Sequence, residues 1–272
     1  GRILMAVSHY KKRILSNVCW RSSMLHRRIY QFLMIYFIGF AVLMLVKYSL
    51  NLSDYVIPSL SEIWITCRRY FGLYLLAVIN TLSVAILGHI LSICMATVVG
   101  IIGRLTIWIG SFIRVAAYNI QAYPIVAVAP IIFILLGDGL SSRLLIAAMI
   151  CYFPLLLSII GVLSEPVTEI EHFFESTRRM NWKLQVKIRA FENTHKLITV
   201  IVGSATLAMV GTIVAEFIAA NAGIGYSIRI ALYQSDLAKI LVALFLIGIC
   251  TSVYLVFLEW LGSIIKRRIG SV

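Results

Sequence analysis

EPVTEIEHFFESTRRMNWKLQVKIRAFENTHK, residues 165–196, is a polar and net basic interval lying between long apolar runs that carry almost no charge. It is too long for a tight turn between two membrane helices. Its apolar residues Ile170, Phe173, Phe174 and Thr177, then Met180, Trp182, Leu184, Val186, Ile188 and Phe191, predict two short amphipathic helices lying along a membrane surface. Such helices offer a docking site to a peripheral subunit. The plainer alternative is a solvated loop held inside the cell by its six Lys or Arg.

Working outward, 61% of the 272 residues are hydrophobic and only 13% charged, against roughly 25% in an average soluble domain. That composition makes the chain an all-α, polytopic membrane protein, with several segments of the ~20 apolar residues that a bilayer core requires. The spans fill most of the chain and leave no separate soluble domain. A net charge of +13 would suggest nucleic acid in a soluble protein. Here the basic residues cluster beside the predicted spans instead of forming one stripe, so topology accounts for them and nucleic acid is excluded as a partner. Cys19, Cys67, Cys94, Cys151 and Cys250 form no CxxC pair, which implies neither a metal site nor a disulfide framework. The five histidines make no metal-ligand cluster, and no nucleotide or hydrolase motif occurs. The chain is therefore read as a non-enzyme with no cofactor of its own. His89 falls inside an apolar run, where a hydrogen bond between helices suits it better than proton transfer.

Residues 1–29 hold seven Lys or Arg and no acid, a basic segment expected to stay in the cytoplasm and too long for a cleavable leader. The membrane domain is expected over residues 30–272, with a first span at 30–50. Pro58, Ser61 and Glu62 signal a short outer helix with Ser61 as its N-cap, followed by a second span at 77–103. The third begins near Ile107 and is broken by Pro124. Within NIQAYPIVAVAP, residues 119–130, Asn119, Gln121 and Tyr123 join two prolines in apolar surroundings. Polar groups and broken backbone at membrane depth are tolerated only inside protein or along a cavity. The stretch is thus either a pathway wall or a kinked helix whose amides tie it to neighbours. Spans at 144–163, 197–218 and 240–265 follow, with a re-entrant or outer-face segment at 221–236. Six spans place both termini in the cytoplasm, with seventeen Lys or Arg inside against six outside.

YVIPSLSEIW (55–64), QAYPIVAVAPIIFILLGDGLSS (121–142) and VAEFIAANAGIGYSI (214–228), in this order and topology, resemble the permease subunits of binding-protein-dependent ABC importers. The likeness is to the nitrate, sulfonate, taurine and bicarbonate branch, and it runs over nearly the whole chain. It implies a MetI-like core of about six transmembrane helices with short cytoplasmic coupling helices. In that family the interval matching residues 165–196 holds the loop that inserts into a cleft on the ATPase. Glu175, Ser176 and Thr177 stand at its Glu-Ala-Ala positions, Asn181 at the glycine, and Asn193 and Thr194 at the Leu-Pro pair, while Gly203 still matches. Asn tolerates positive φ better than other non-glycine residues, so Asn181 is expected to keep the turn. Loss of the proline is expected to lengthen the second helix into the fifth span.

The resemblance implies a bacterial inner-membrane chain whose pathway is enclosed with a second permease copy, served by a cytoplasmic ABC ATPase dimer that holds ATP and Mg and by a periplasmic or lipoprotein substrate-binding protein. Coupling falls to Phe173, Phe174, Glu175, Arg178, Arg179, Asn181 and Trp182. The pathway candidates are Asn119, Gln121, Tyr123 and Glu216. Arg229 or Arg143 could pair with the Glu216 carboxylate, which either shapes the outer gate or holds the segment after it by a structural hydrogen bond. The branch permits nitrate, sulfonates such as taurine, bicarbonate or vitamin precursors. A degenerate, structural half of a heterodimeric permease and a stand-alone carrier are the alternative functions.

Overall fold

Residue 27 and residues 30–269 are described by a computed structural model. Among them the regular structure is entirely helical. Helix α1, Tyr30–Ser49, is followed by α2, Leu60–Ile102. Next come α3, Ile107–Gln121, and α4, Ile125–Leu136, then α5, Leu140–Ser164. The polar interval forms α6, Thr168–Ser176, and α7, Trp182–Glu192. Helices α8, Thr194–Ile218, α9, Ile224–Tyr233, and α10, Leu237–Ile269, complete the chain. The basic segment expected over residues 1–29 lies, apart from Arg27, outside the described residues.

Five of these helices are each long and apolar enough to cross a membrane, and α3 with α4, bent by 90° at their junction, pass the same test only as a pair, which makes either a sixth, broken span or a re-entrant loop. The break occupies residues 122–124, where Pro124 opens α4 at φ −68° and ψ 114°. Proline has no N–H to continue the ladder, so the chain turns there. Pro130 inside α4 does not end the helix, which runs on until Gly137 takes a left-handed φ of 79°.

Helix α2 corrects two expectations. No separate outer helix precedes the second span, because α2 runs unbroken for 43 residues, about 65 Å at 1.5 Å per residue. Nothing between Glu62 and Ala77 stops it, since that interval contains no proline and only one glycine. The N-cap is Ser59, not Ser61: its hydroxyl accepts from the Glu62 N–H at 3.3 Å, and Ser61 bonds to Ser59 instead at 2.9 Å.

The core is built where α5 packs between α2 and α8, with α10 and α9 closing against α2 and α8. Small side chains allow the approach. Gly88 faces Ala147, Gly100 faces Ile159, and Gly211 faces Ala147 and Ile150, as expected where dispersion, not the hydrophobic effect, joins helices in lipid. His89 bridges three helices as a hydrogen-bonding residue: Nδ1 lies 2.8 Å from the Tyr254 hydroxyl and Nε2 2.9 Å from that of Ser204. Helix α1 stands outside this core and leans antiparallel on α10, where the Tyr36 ring meets that of Phe245 at a tilt, centroids 4.9 Å apart, and its hydroxyl donates to the Leu241 carbonyl at 2.9 Å.

Candidate functional site

Two constellations sit at opposite ends of the core. The first is the α6–α7 pair, which connects α5 to α8. Glu171 is the buried residue of α6, only 6% exposed, and Arg189 of α7 grips it with one edge of its guanidinium: Nε donates to Oε1 at 2.6 Å and Nη2 to Oε2 at 2.8 Å. Bidentate geometry of this kind is the strong form of the charge-assisted bond. Gln185 adds a bond to Oε2 at 3.2 Å, and the Val167 N–H donates to Oε1 at 3.0 Å. Held first by Arg189, the Glu171 carboxyl drops from its ordinary 4.5 to about 2.

Arg189 also donates through Nη1 to the carbonyls of Leu163 and Ser164, at 3.2 and 3.0 Å. These are the unsatisfied carbonyls that end α5, so a cation at this place both caps the helix and complements its dipole. Arg104, just beyond α2, reaches Gln185 at 3.2 Å and Ser164 at 3.4 Å. One guanidinium thus ties the projecting pair to the end of α5, and a second ties it to the end of α2. Sequence reading missed Glu171, Gln185, Arg189 and Arg104. The Glu171 to Arg189 separation of eighteen residues offers no helical register to read; the available signal was a lone acid on the apolar stripe of α6.

The outward surface of the pair carries the residues proposed for coupling. Phe173 is 63% and Trp182 38% exposed. Glu175, Arg178, Arg179 and Asn181 are exposed, and Phe174 is half-buried, its ring edge-on to Phe173 at 5.5 Å. The turn between the helices differs from expectation. Asn181 is extended, at φ −139° and ψ 162°, and acts as the N-cap of α7 by accepting from Leu184 N–H at 2.8 Å. The left-handed residue is Arg178, at φ 53°. Its N–H bonds the Glu175 carbonyl at 2.9 Å while that of Arg179 bonds Phe174 at 3.0 Å, a Schellman ending for α6 with arginine where glycine is the usual choice. Nor do α7 and α8 merge. Asn193, at φ −94° and ψ 18°, separates them by one residue.

At the other end, Glu216 of α8 is fully buried. Its carboxylate pairs with Arg143 at the start of α5, accepts from the Thr81 hydroxyl at 2.7 Å and from the Gly225 N–H at 3.0 Å. Thr81 in turn accepts from Ile224 N–H at 2.8 Å, and Arg143 donates to Asn80 at 2.6 Å. The network therefore joins α2, α5, α8 and the first turn of α9. Gly223, at φ 93°, and Gly225 pass so close to Glu216 that a Cβ at either position would overlap its side chain. Arg229, the other partner considered for Glu216, instead donates to the carbonyls of Phe217 and Ile218 at the end of α8 and of Ala220 just beyond it, at 3.2, 2.8 and 2.7 Å. Asn80 and Thr81 are adjacent polar residues in the apolar stretch LAVINTLSVAIL, a signal that could have found them.

Asn119, Gln121 and Tyr123 lie at the α3–α4 elbow and are exposed, Tyr123 at 69%. Asn119 bonds the Val115 carbonyl of its own helix at 2.9 Å. None of the three touches the Glu216 carboxylate, so the four pathway candidates form an elbow group and a separate buried clamp.

Residues 94–271 match the sequence profile of a family described as the binding-protein-dependent transport system inner membrane component. The chain is similar to the riboflavin transport system permease protein RibX of Chloroflexus aurantiacus, at 33% identity over 148 residues, 54% of this chain and 55% of that protein. It is also similar to the formylaminopyrimidine transport permease protein ThiX of Halalkalibacterium halodurans, at 24% identity over 173 residues, 62% of this chain and 68% of that protein. The chain thus spans about half the length of the first relative and about two thirds of the second.

Proposed function

Because this chain belongs to the inner membrane components of binding-protein-dependent transport systems, and is thus an ABC importer permease subunit, we propose that it couples through α6 and α7 to a cytoplasmic ABC ATPase dimer and, with a second permease copy, encloses the pathway for a vitamin-type heterocycle. The substrate class follows the names of the two relatives, riboflavin and formylaminopyrimidine transport permeases, and it narrows the wider range that the sequence allows. A periplasmic or lipoprotein binding protein delivers the substrate, ATP and Mg sit in the ATPase, and both termini face the cytoplasm with the basic helix ends.

One observation carries the coupling reading. The α6–α7 pair has a buried ionic root, Glu171 with Arg189, and an exposed apolar and charged crown, Phe173, Glu175, Arg178, Arg179 and Trp182. A surface that transmits force needs both parts: anchors that fill a partner's cleft, and a rigid attachment to the helices that must move. Displacement of the crown reaches α5 through the Arg189 bonds to Leu163 and Ser164 and reaches α2 through Arg104. Asn181 serves as an ordinary N-cap, so departure from glycine there is compatible with a working loop.

Purification of the tagged chain in gentle detergent tests the assembly, with an ATPase and one or two kinds of permease expected to copurify. Trp182→Ala, the loss of an exposed aromatic anchor worth about 2 kcal/mol or more in an interface, is expected to weaken ATPase binding at least thirtyfold. Glu175→Ala is expected to uncouple hydrolysis from uptake of labelled riboflavin. Unchanged complex yield and transport in both variants would remove the coupling assignment, and uptake of taurine or nitrate in place of the heterocycles would remove the substrate class.

A further inference from the structure

We propose that the groove between the first turn of α1, the start of α8 and the end of α10 is a binding site for an anionic phospholipid, with the phosphate at its mouth and an acyl chain on its floor. The groove has a volume of about 880 Å³ and is lined by Arg27, Ile198, Val202, Glu259, Lys266 and Arg267, among others. Three cations against one carboxylate give the lining a net positive charge, and Ile198 and Val202 add aliphatic surface beside the polar Gln31, Thr199 and Ser263. That combination suits an amphiphile with a negative headgroup.

Position supports the same ligand. Helices α1, α8 and α10 are all long and apolar enough to cross the membrane, and the groove lies where one end of each emerges, so its mouth sits at headgroup depth. Basic pockets between transmembrane helices at such a level attract anionic headgroups, each Lys or Arg adding to the attraction. The space is left by small residues. A Cβ on Gly203 would have no neighbour within 4 Å, which marks an open wall, whereas Gly262 on the facing helix lets Ile198 approach closely. Gly203 sits within helix α8, so a larger residue there fills the groove without opposing the backbone.

Native mass spectrometry of the full chain in a neutral detergent tests the site, with phosphatidylglycerol, phosphatidylcholine and inorganic phosphate added separately at equal concentration. Phosphatidylglycerol adducts are expected at least tenfold above phosphatidylcholine adducts. The excess should vanish in Arg27→Gln/Lys266→Gln, which removes charge, and in Gly203→Leu, which removes space. It should persist in Arg68→Gln/Arg69→Gln, an equal loss of exposed charge at the opposite end of the core. Equal adducts of the two lipids, survival of the excess in Gly203→Leu, or its loss in the Arg68/Arg69 control would overturn the site. Adducts formed as well by inorganic phosphate would replace it with a site for a soluble anion. Should the double charge variant fail to fold, Gly203→Leu decides alone.

Discussion

Replacing Glu171 by Gln should loosen the α6–α7 pair without unfolding the membrane core. Glu171 is buried against Arg189, which keeps its carboxyl near 2 in place of the ordinary 4.5. At about 1.4 kcal/mol per tenfold change in proton affinity, that displacement sets an upper limit of about 3.5 kcal/mol; solvent at the edge of the loop lowers the working figure to about 2 kcal/mol. The amide keeps the shape and leaves Arg189 its two carbonyl partners, so the loss is local. Hydrogen exchange of the purified complex should then show backbone protection of residues 168–192 falling about thirtyfold, with α5 and α8 unchanged. A pH series separates this ion pair from mere packing. In the unfolded segment the carboxyl takes up its proton near 4.5 and in the folded one near 2, so between these values the unfolded form binds more protons. Stabilisation is complete above about pH 4.5, drains as the pH falls, and is gone below about 2. The wild type should show this decline and Glu171→Gln should not. Protection within twofold of wild type in the variant, or the same pH profile in both proteins, would refute the ion pair as the root of the pair.

Two further outcomes follow from the same contacts. Arg178→Gly, which relieves a left-handed arginine at φ 53°, should raise the protection of α6 by about 1 kcal/mol, and a decrease would mean that the arginine side chain outweighs the backbone. Arg143→Met strands the buried Glu216 carboxylate and should cost about 3–5 kcal/mol, seen as a lower melting temperature in detergent, while Arg143→Met/Glu216→Gln should regain at least half of the loss; equal melting temperatures for the single variant and wild type would contradict the clamp.

Apolar run length and helix punctuation were legible in the sequence because they are local. Twenty apolar residues have no alternative to a spanning helix, a proline cannot continue one, and the polar interval had to leave the membrane; hence the spans, the break at Pro124, and α6 with α7 were all readable. The same local signals misplaced the start of α2 and the turn at Asn181. Ser59 and Ser61 are equally good caps by composition, and only the path of the chain chose between them, just as it put the left-handed residue at Arg178. What tertiary structure alone decided is which charges meet. Glu171 and Arg189 lie eighteen residues apart, Glu216 and Arg143 seventy-three, and Glu216 and Thr81 one hundred and thirty-five. Pairing across such separations leaves no periodic trace in a single sequence. It is fixed by helix packing, which takes each charge out of water and so compels it to bond the partners that the fold brings within reach.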